Sequence, residues 1–385
     1  MDTPLIWAEI DLKAIAQNVR ALRRITNSEA RLMAVVKANA YGHGAIEVAR
    51  RALESGADVL GVARLNEGIA LRKAGFDAPT LIFGYTPPAL TKKLLEFDLT
   101  QTVWSYQTAA ALSAAVAARK ALKVHLKVDS GMGRLGLLPD CCRLPALDAN
   151  SPAKALGEVE AIASLAGLQL EGVYTHFAAA DSTDKSYTSK QFEIFAEFLD
   201  EIRKAGLDIP VCHAANSAAI IDLPETHLDM VRAGISIYGL YPSDEVDKDR
   251  IALQPAMTLK SRVVHLKKVP AGFKVSYGMT HETSKPTTIA SVPVGYADGF
   301  SRLLSSRGHM LVGGRRAPIV GRVCMDTTML DVGHVPGIDL EDEVVIFGRQ
   351  QDASITADEI AASLNTINYE IVSSLTARIS RVYLQ

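Results

Sequence analysis

The segment LMAVVKANAYGHG (residues 32–44) places an apolar run directly before a lysine and two closely spaced glycines. The run 32–36 has the length and composition of a buried strand, and a helical pattern follows at 44–55. Strand–helix pairs of this kind recur along the chain toward residue 240. Such alternation indicates a parallel sheet whose strands are joined by helices.

Eight short apolar runs are candidate strands of that sheet. They are 32–36, 58–62, 80–83, 100–103, 123–128, 171–175, 210–213 and 229–232. Helical patterns separate most of them, for example 44–55, 66–74, 107–119 and 187–205. Eight strands in this length of chain favour a closed (β/α)8 barrel, and an open doubly wound sheet is the alternative.

The pattern changes after residue 242. Longer β-rich runs follow at 256–269, 287–294, 310–320, 326–332 and 343–347, with one clear helical pattern near 356–364. A chain of 385 residues exceeds the size at which one hydrophobic core stops growing. We therefore predict an α/β barrel over 1–241 and a mainly β domain over 242–385. The polar segment 139–160 is expected to be a surface excursion.

The bulk composition excludes several classes of protein. A net charge of −2 gives no extended basic surface for nucleic acid or an anionic membrane. The amino terminus lacks the regions of a secretory signal, and the short Ala-rich stretch 109–118 predicts a buried helix, not a membrane span. The cysteines at 141, 142, 212 and 324 fit neither a disulfide framework nor a zinc site. We expect a cytoplasmic protein without a bound metal.

Lys37 is the first candidate for chemistry. In a barrel, the active site lies at the carboxyl ends of the strands, and Lys37 follows the run 32–36 directly. Most lysines in such a position simply extend into water. A partly desolvated lysine, however, has a lowered pKa and can form a Schiff base with a carbonyl compound. Gly42 and Gly44 allow a close approach of a ligand to the backbone, although they also serve ordinary turns.

The segment 131–136 contains a literal G-x-G-x-x-G after a strand, with Glu158 farther along. This pattern suggests a dinucleotide-binding loop. Two features count against a nicotinamide cofactor. The motif should open a helix, but Pro139 follows shortly, and the preceding strand is the fifth of the series, not the first.

Three further strand ends carry polar residues: YTHF (174–177), HAANS (213–217) and RAGIS (232–236). Asn216 and Ser217 precede a helical pattern, so helix capping alone explains them. The amino terminus of a helix also binds phosphate groups. Several such ends converging at one barrel mouth predict a site for an anionic cofactor.

Ten segments resemble those of bacterial alanine racemases, in the same order and over nearly the whole chain. They are VVKANAYGHG (35–44), KVDSGMGRLG (127–136), YTHFA (174–178), HAANSAA (213–219), RAGISIYG (232–239), LQPAM (253–257), KVSYG (274–278), GYADG (295–299), GRVCMD (321–326) and INYE (367–370). Because chance would supply one or two such matches but not ten, the resemblance is specific.

The resemblance implies a pyridoxal 5′-phosphate (PLP) enzyme that interconverts L- and D-alanine and supplies D-alanine for peptidoglycan. Lys37 would hold the cofactor and carry the proton on the D face. Tyr277 would carry the proton on the L face and would come from the partner subunit of a homodimer with shared active sites. A hydrogen bond to His176 would make this phenol a better base.

The resemblance also assigns roles to other residues. Expected cofactor contacts are Tyr41, His176, Asn216, Ser217, Arg232, Gly234, Ile235 and Tyr369. Arg134 and the amide of Met325 would bind the substrate carboxylate, and Lys127 matches a lysine that is often carbamylated. His213, Cys324 and Asp326 are expected to support the site. A gate at the entrance would comprise Asp181, Tyr296, Arg302, Arg322 and Ile367.

Other functions on the same scaffold are a serine or lysine racemase and an amino-acid decarboxylase. Decarboxylases of this type carry an acidic residue at the cofactor ring nitrogen, where Arg232 is basic. A non-catalytic PLP carrier built from the barrel alone conflicts with the long β domain and with KVSYG (274–278). By the same resemblance, Tyr369 would narrow the pocket and favour alanine over serine, but a pocket of this kind tolerates one extra hydroxyl.

Overall fold

The computed structural model describes residues 4–116, 120–142 and 155–385. The chain forms two compact units. The first, which we call the barrel unit, comprises Ile15–Ala38 and Ala45–Gln254. The second, the β unit, combines the stretch ending at Ala14 with Asn39–Gly44 and Pro255–Gln385. The division of function between 1–241 and 242–385 stays a prediction.

The chain begins with a strand and a helix, β1 (Ile6–Asp11) and α1 (Leu12–Ile25). Eight parallel strands then form the barrel sheet: β2 (Arg31–Val35), β3 (Val59–Val62), β4 (Thr80–Ile82), β5 (Thr100–Val103), β6 (Leu122–Lys127), β7 (Leu168–Tyr174), β8 (Val211–His213) and β9 (Met230–Ala233). Their order is β8-β7-β6-β5-β4-β3-β2-β9. Neighbours in sequence are therefore neighbours in space, which excludes the doubly wound alternative, where the strand order reverses.

Hydrogen bonds outside the regular ladders bridge β8 and β9. The Asp229 amide donates to the Cys212 carbonyl at 3.1 Å, and the Arg232 amide donates to the Ala215 carbonyl at 3.0 Å. The Asp229 carboxylate in turn accepts from the Cys212 amide at 2.7 Å. The nearly closed barrel confirms the predicted fold class.

Helices alternate with the barrel strands, as the sequence predicted. They are α2 (Lys37–Tyr41), α3 (Ala45–Glu54), α4 (Leu65–Lys73), α5 (Thr91–Glu96), α6 (Tyr106–Ala114), α7 (Ala155–Ala163), α8 (Ser186–Lys204) and α9 (Ser217–Asp222). In α8 the buried positions Phe195, Phe198 and Ile202 recur every three to four residues, the spacing of one helix face. Among the described residues no helix has the length and apolarity needed to cross a membrane.

The stretch before α7 differs in part from the sequence prediction. Part of the expected surface excursion 139–160, residues 143–154, lies outside the described residues, as do residues 117–119 of the predicted helix 107–119. The end of 139–160 is not an excursion: it begins α7, and Ala155, Val159 and Ile162 are buried. The helical periodicity of the α7 residues was too weak to be recognised in the sequence, because polar residues precede them.

The β unit contains the remaining strands and two helices. They are β10 (Met257–Arg262), β11 (His265–Val269), β12 (Lys274–Val275), β13 (His281–Glu282), β14 (Thr287–Val292), β15 (His309–Val312), β16 (Arg315–Pro318), β17 (Thr328–Asp331), β18 (Glu343–Gln350), β19 (Ala353–Ile355), α10 (Ala357–Leu364), α11 (Asn368–Ser373) and β20 (Ser380–Leu384). The largest sheet has the order β16-β15-β18-β10-β1-β20, with β19 paired to β18. A three-stranded sheet, β11-β14-β17, and the hairpin β12-β13 complete the unit.

Several β-unit elements differ from the sequence expectation. The run 256–269 is two strands in two different sheets, β10 and β11. The run 310–320 is a hairpin, because Gly313 and Gly314 adopt φ of +58° and +76° and turn the chain between β15 and β16. The sequence indicated one helix, but α11 is a second, and its six residues are too few for a periodic signal.

Candidate active site

Charged and polar side chains collect at one end of the barrel. Lys37 follows β2, Lys127 ends β6, His213 ends β8, and Arg232 lies in β9. His176 follows β7. Because the eight strands are parallel, these residues share the carboxyl end of the barrel, where barrel enzymes have their active sites.

Lys37 is partly buried in a positively charged environment. Burial lowers the pKa of its amine, and Arg134 and Arg232 lower it further, while Glu67 opposes them. Glu67 also accepts a hydrogen bond of 2.7 Å from the Ala38 amide. A lowered pKa increases the neutral fraction of the amine, the form that attacks carbonyl carbon.

The chain after Lys37 makes a left-handed turn. Ala38, Asn39, Ala40 and Tyr41 have φ of 52°, 54°, 54° and 50°. This conformation costs about 1–2 kcal/mol for each residue with a side chain. Such strain persists only where surrounding contacts impose it, and it is concentrated at functional sites.

Within the β unit, the far end of this turn is held by hydrogen bonds and close packing. The His43 Nδ1 atom lies 3.1 Å from the Ala40 carbonyl and 3.0 Å from the Tyr41 carbonyl, and it donates to them. The Arg381 Nε atom donates to the Gly42 carbonyl at 3.0 Å. A Cβ on Gly42 would lie 2.1 Å from the Val372 carbonyl oxygen, so no larger residue fits there.

Tyr41 and Tyr369 form an aromatic pair in the β unit. Their ring centroids are 6.0 Å apart, with the planes tilted by 50°. Burial raises the pKa of the Tyr41 phenol, so its hydroxyl stays protonated and can donate a hydrogen bond.

Arg232 is buried at the centre of a hydrogen-bond network. Its Nη1 donates to His213 Nδ1 at 3.0 Å, and its Nη2 donates to His176 Nδ1 at 3.1 Å. Nη2 also donates to the carbonyls of Thr175 and Ala214, both at 2.8 Å. These contacts fix the guanidinium plane against the ends of two strands, β7 and β8.

Both histidines in this network are neutral acceptors at Nδ1. A guanidinium can only donate, so each Nδ1 must lack a proton. Burial, with the nearby charge of Arg232, lowers the pKa of His176 and of His213 well below the usual value. The remaining proton of each imidazole is therefore on Nε2.

The first residue of α9 accepts a hydrogen bond from the loop after β9. Ser217 Oγ accepts from the Gly234 amide at 2.8 Å, and Ile235, which begins a 3₁₀ turn, is buried. Asn216 caps α9 through a 3.0 Å bond from the Ala219 amide. Helix capping thus explains the position of the Asn216 side chain.

The glycine-rich segment 131–136 does not present open amides to a dinucleotide. The Asp129 carboxylate accepts from the amides of residues 131, 132, 133 and 134 at distances of 2.7–3.1 Å. The Leu137 amide then donates to the Lys127 carbonyl at 2.8 Å, so the segment folds back on the strand end instead of opening a helix. The loop positions Arg134.

Lys127 is 6% exposed and lies close to other cations. Burial lowers its pKa to about 8, with further contributions from Arg134 and Arg232. Lys37, Lys127, Arg134 and Arg232 thus form a group of four cations that raise one another's electrostatic energy. A group of this kind favours a bound anion.

The predicted proton carrier of the β unit is exposed in this chain. Tyr277 is 70% exposed and begins a 3₁₀ turn after Ser276, which has φ of +67°. Ser276 Oγ donates to the Arg322 carbonyl at 2.7 Å and lies 3.6 Å from Cys324 Sγ. Met325 is also exposed. The contacts of Ser276 therefore join the segment that carries Tyr277 to the segment that carries Met325.

The remaining expected residues occupy both units. Tyr296, Arg302 and Ile367 are exposed residues of the β unit, whereas Asp181 belongs to the barrel unit, where its carbonyl accepts from Ser243. Asp326 accepts a 2.7 Å hydrogen bond from Arg378.

Sequence reasoning missed His125 and Arg381. His125 lies in β6, where it contacts His213, two residues before Lys127 and therefore on the same face of the strand. That spacing was the available signal. Arg381 had none, because its partners are backbone carbonyls, and the one that links it to the turn after Lys37, that of Gly42, is far away in sequence.

Comparisons with known proteins agree over the whole chain. The family model described as the alanine racemase N-terminal domain matches residues 10–242, and that for the C-terminal domain matches 256–383. The alanine racemase of Desulfosudis oleivorans is 57% identical over 378 residues, 98% of this chain and 96% of the relative.

Solved structures give the same result. Alanine racemase of Clostridium difficile 630 superposes with a TM-score of 0.91 at 40% identity, covering 100% of this chain and 97% of that chain. Alanine racemase from Bacillus anthracis with bound L-Ala-P has a TM-score of 0.92 at 38% identity, covering 100% and 96%. The barrel, its cationic mouth and these matches together show that this chain belongs to the alanine racemase family.

Proposed function

We propose that this chain racemises alanine by a two-base mechanism, with PLP as cofactor and Lys37 and Tyr277 as the proton carriers. The observation that carries the proposal is the cationic barrel mouth, where Lys37 has a lowered pKa among Lys127, Arg134 and Arg232. This donor set fits PLP, which brings an aldehyde for the lysine and a phosphate for the amides. When bound, PLP withdraws electrons from the α-carbon of an attached amino acid.

The family resemblance assigns the residues that would hold this cofactor. Lys37 would bind the aldehyde carbon and Arg232 would face the ring nitrogen, with His176 beside the ring. The phosphate would be bound by residues that include hydroxyls and backbone amides: Tyr41, Asn216, Ser217, Gly234, Ile235 and Tyr369. The protonated Tyr41 phenol can donate to a phosphate. Ser217 Oγ accepts from the Gly234 amide, so its own hydroxyl proton can also be donated to the phosphate.

Two side chains exchange the α-proton from opposite faces of the substrate. Lys37 Nζ removes or returns it on the D face, and Tyr277 Oη does so on the L face. His176 assists Tyr277, because its proton is on Nε2 and can be donated toward the phenol oxygen. Arg134 and the Met325 amide bind the carboxylate, with His213, Cys324 and Asp326 in support.

Tyr277 would act in the site of a second copy of this chain. It is exposed together with other large apolar residues of the β unit, Met279, Leu303, Met325 and Ile367, which are 54–68% exposed. Large apolar side chains of this kind on a surface indicate a protein interface. A homodimer would cover them and complete two shared sites.

Substrate size follows from the side chains at the entrance. Tyr296 and Tyr369 narrow the pocket, and Asp181, Arg302, Arg322 and Ile367 form the outer gate. Alanine is then the preferred substrate, serine is tolerated, and D-alanine serves cytoplasmic peptidoglycan precursors. The basic Arg232, instead of an acid, argues against a decarboxylase.

Isotope exchange tests the proposal. In D2O, the wild-type enzyme with PLP should convert either enantiomer of alanine into α-deuterated product of the opposite hand. The Tyr277→Phe variant should still exchange the α-hydrogen of D-alanine, without inverting it, and should lose exchange from L-alanine by a factor of about 10²–10⁴. Lys37→Ala should lose both reactions and the visible absorbance of lysine-bound PLP.

Tyr106→Phe is the matched control, since Tyr106 is an exposed tyrosine that the mechanism does not use. It should behave as wild type. Equal losses with both enantiomers in Tyr277→Phe would contradict the two-base assignment. Carbon dioxide release from alanine would indicate a decarboxylase.

A further inference from the structure

His125 lies inside the barrel against the histidine that binds Arg232. Its Nδ1 is 2.9 Å from His213 Nε2, and the two ring centroids are 5.2 Å apart in an edge-to-face arrangement. His125 is 5% exposed and His213 is fully buried. This contact extends the Arg232 network away from the barrel mouth.

The neighbouring strand makes room for the His125 ring. The β6–β7 register shifts between Val124 and His125, which then pairs with Gly172. A Cβ on Gly172 would lie 2.5 Å from His125 Nδ1 and 2.6 Å from Cε1. Since a rigid imidazole cannot yield, the missing side chain at 172 is what allows this ring position.

The donors and acceptors in this network can have only one arrangement. Arg232 donates to His213 Nδ1, so the proton of neutral His213 is on Nε2. That proton points at His125 Nδ1, which must accept it. The proton of His125 is then on its own Nε2, which lies 3.9 Å from the Glu171 carboxylate, whose negative charge favours it there.

We propose that His125 is a positioning residue: by accepting the Nε2 proton of His213, it keeps His213 Nδ1 free of a proton and able to hold Arg232. The proposal rests on the proposed function in one respect, that Arg232 faces the bound cofactor. Burial lowers the pKa of His125 and His213, which is consistent with two neutral rings.

Without this acceptor, both positions for the His213 proton are unfavourable. On Nε2 it would be a buried donor without a partner. On Nδ1 it would face the Arg232 donor, and that hydrogen bond would break. Arg232 would then lose one of the contacts that fix its plane, although the substrate-binding residues would be untouched.

A matched pair of variants separates this role from packing. Asn and Leu have nearly the same shape, and Asn can place Oδ1 where His125 Nδ1 lies. In the PLP-loaded enzyme, His125→Leu should lower kcat for alanine about tenfold, the usual effect of one unsatisfied buried donor, with little change in KM. His125→Asn should restore most of kcat.

Nitrogen NMR of the ¹⁵N-histidine-labelled holoenzyme provides a readout independent of activity. We expect wild type and His125→Asn to show His213 protonated on Nε2, and His125→Leu to show a mixture or the other tautomer. His213→Asn assigns the signal by removing it.

Equal loss of kcat in the Asn and Leu variants would mean that only the ring volume matters, and would overturn the proposal. An Nδ1 proton on His213 in the wild type would overturn it as well, even if no variant folded. If the wild type bound PLP but did not racemise alanine, the proposed function would fail while the tautomer result stood.

Discussion

Lys127 is a lysine whose surroundings increase the fraction of the neutral amine. With a pKa of about 8, roughly one molecule in ten is unprotonated at pH 7, against fewer than one in a thousand for an ordinary lysine. A neutral amine adds carbon dioxide at its nitrogen and releases a proton to give a carbamate, which would convert a fourth cation into an anion beside Arg134. We therefore predict a carbamate on Lys127, as the sequence resemblance implied.

Native mass spectrometry at mild pH should show one added carbon dioxide for each chain, lost on acidification. Lys127→Met should lack it and racemise at least tenfold more slowly, whereas Lys127→Glu, which supplies a carboxylate, should lose less. Lys123→Met is the control, because Lys123 lies in the same strand but forms an exposed ion pair with Asp98. An unmodified wild-type mass would refute the prediction.

In the left-handed turn after Lys37, the usual preference of a helix for alanine over glycine is reversed. In an ordinary helix, replacing Ala by Gly costs about 1 kcal/mol, but Ala38 has φ of +52°, where an L side chain is strained and glycine is not. We predict that Ala38→Gly stabilises the protein by about 1 kcal/mol, measured by urea unfolding.

Ala111 is the matched control because it is an exposed alanine in α6, a right-handed helix. Ala111→Gly should destabilise the protein by about 1 kcal/mol. If both variants were destabilised equally, the turn would not be strained.

Arg381 links the carboxyl-terminal segment to this turn. Besides the Gly42 carbonyl, its guanidinium donates to the carbonyls of Thr376, Ile379 and Leu375 at 2.6–3.0 Å. Arg381→Met would leave four carbonyls without this donor. We predict a loss of about 2–4 kcal/mol of unfolding free energy and weaker binding of PLP, measured by titrating the apoenzyme.

Arg349→Met provides the comparison, since Arg349 donates to one exposed carbonyl, that of Gln351. It should change neither quantity. Unchanged PLP affinity in a destabilised Arg381→Met enzyme would mean that the contact supports the fold but not the turn.

At the scale of elements, the sequence predicted the strands and helices whose apolar residues recur with a regular local spacing. The barrel strands and the helices such as α8 have apolar spacing that reports their buried faces, so their positions were predicted closely. The turn 38–41 was not predicted, because its residues favour an ordinary helix and contacts from outside the turn, such as those of His43 with the Ala40 and Tyr41 carbonyls, hold the left-handed form. For the same reason β1 was missed: it pairs with β10 and β20, both far away in sequence.

At the scale of the whole molecule, the candidate site was predicted by motifs and by their place at strand ends. His125 was not, because a histidine in a buried strand has many possible roles and only the shifted register beside Gly172 shows which one it has. Burial also lowers the pKa of several histidines at once. They are His43, His125, His176, His213 and His227.

This property predicts acid sensitivity. An unfolded histidine titrates near 6.5, whereas burial lowers the pKa of His43 to about 4 in the folded protein. Between these values the unfolded chain binds a proton that the folded chain does not, so stability is complete above 6.5 and is lost as the pH falls toward 4. For His43 alone the loss between pH 7 and pH 5 is about 2 kcal/mol, and the other four histidines act in the same direction.

Urea unfolding at pH 7 and pH 5 should therefore show a fall of several kcal/mol, at pH values where most carboxylates remain ionised. His43→Asn keeps a side-chain N–H near the Ala40 and Tyr41 carbonyls but cannot titrate, so the fall should shrink by about 2 kcal/mol. His334→Asn, which alters an exposed histidine, should leave the fall unchanged. An equal fall in wild type and His43→Asn would show that His43 is already protonated in the folded protein at pH 5, because only a proton taken up on unfolding links stability to pH.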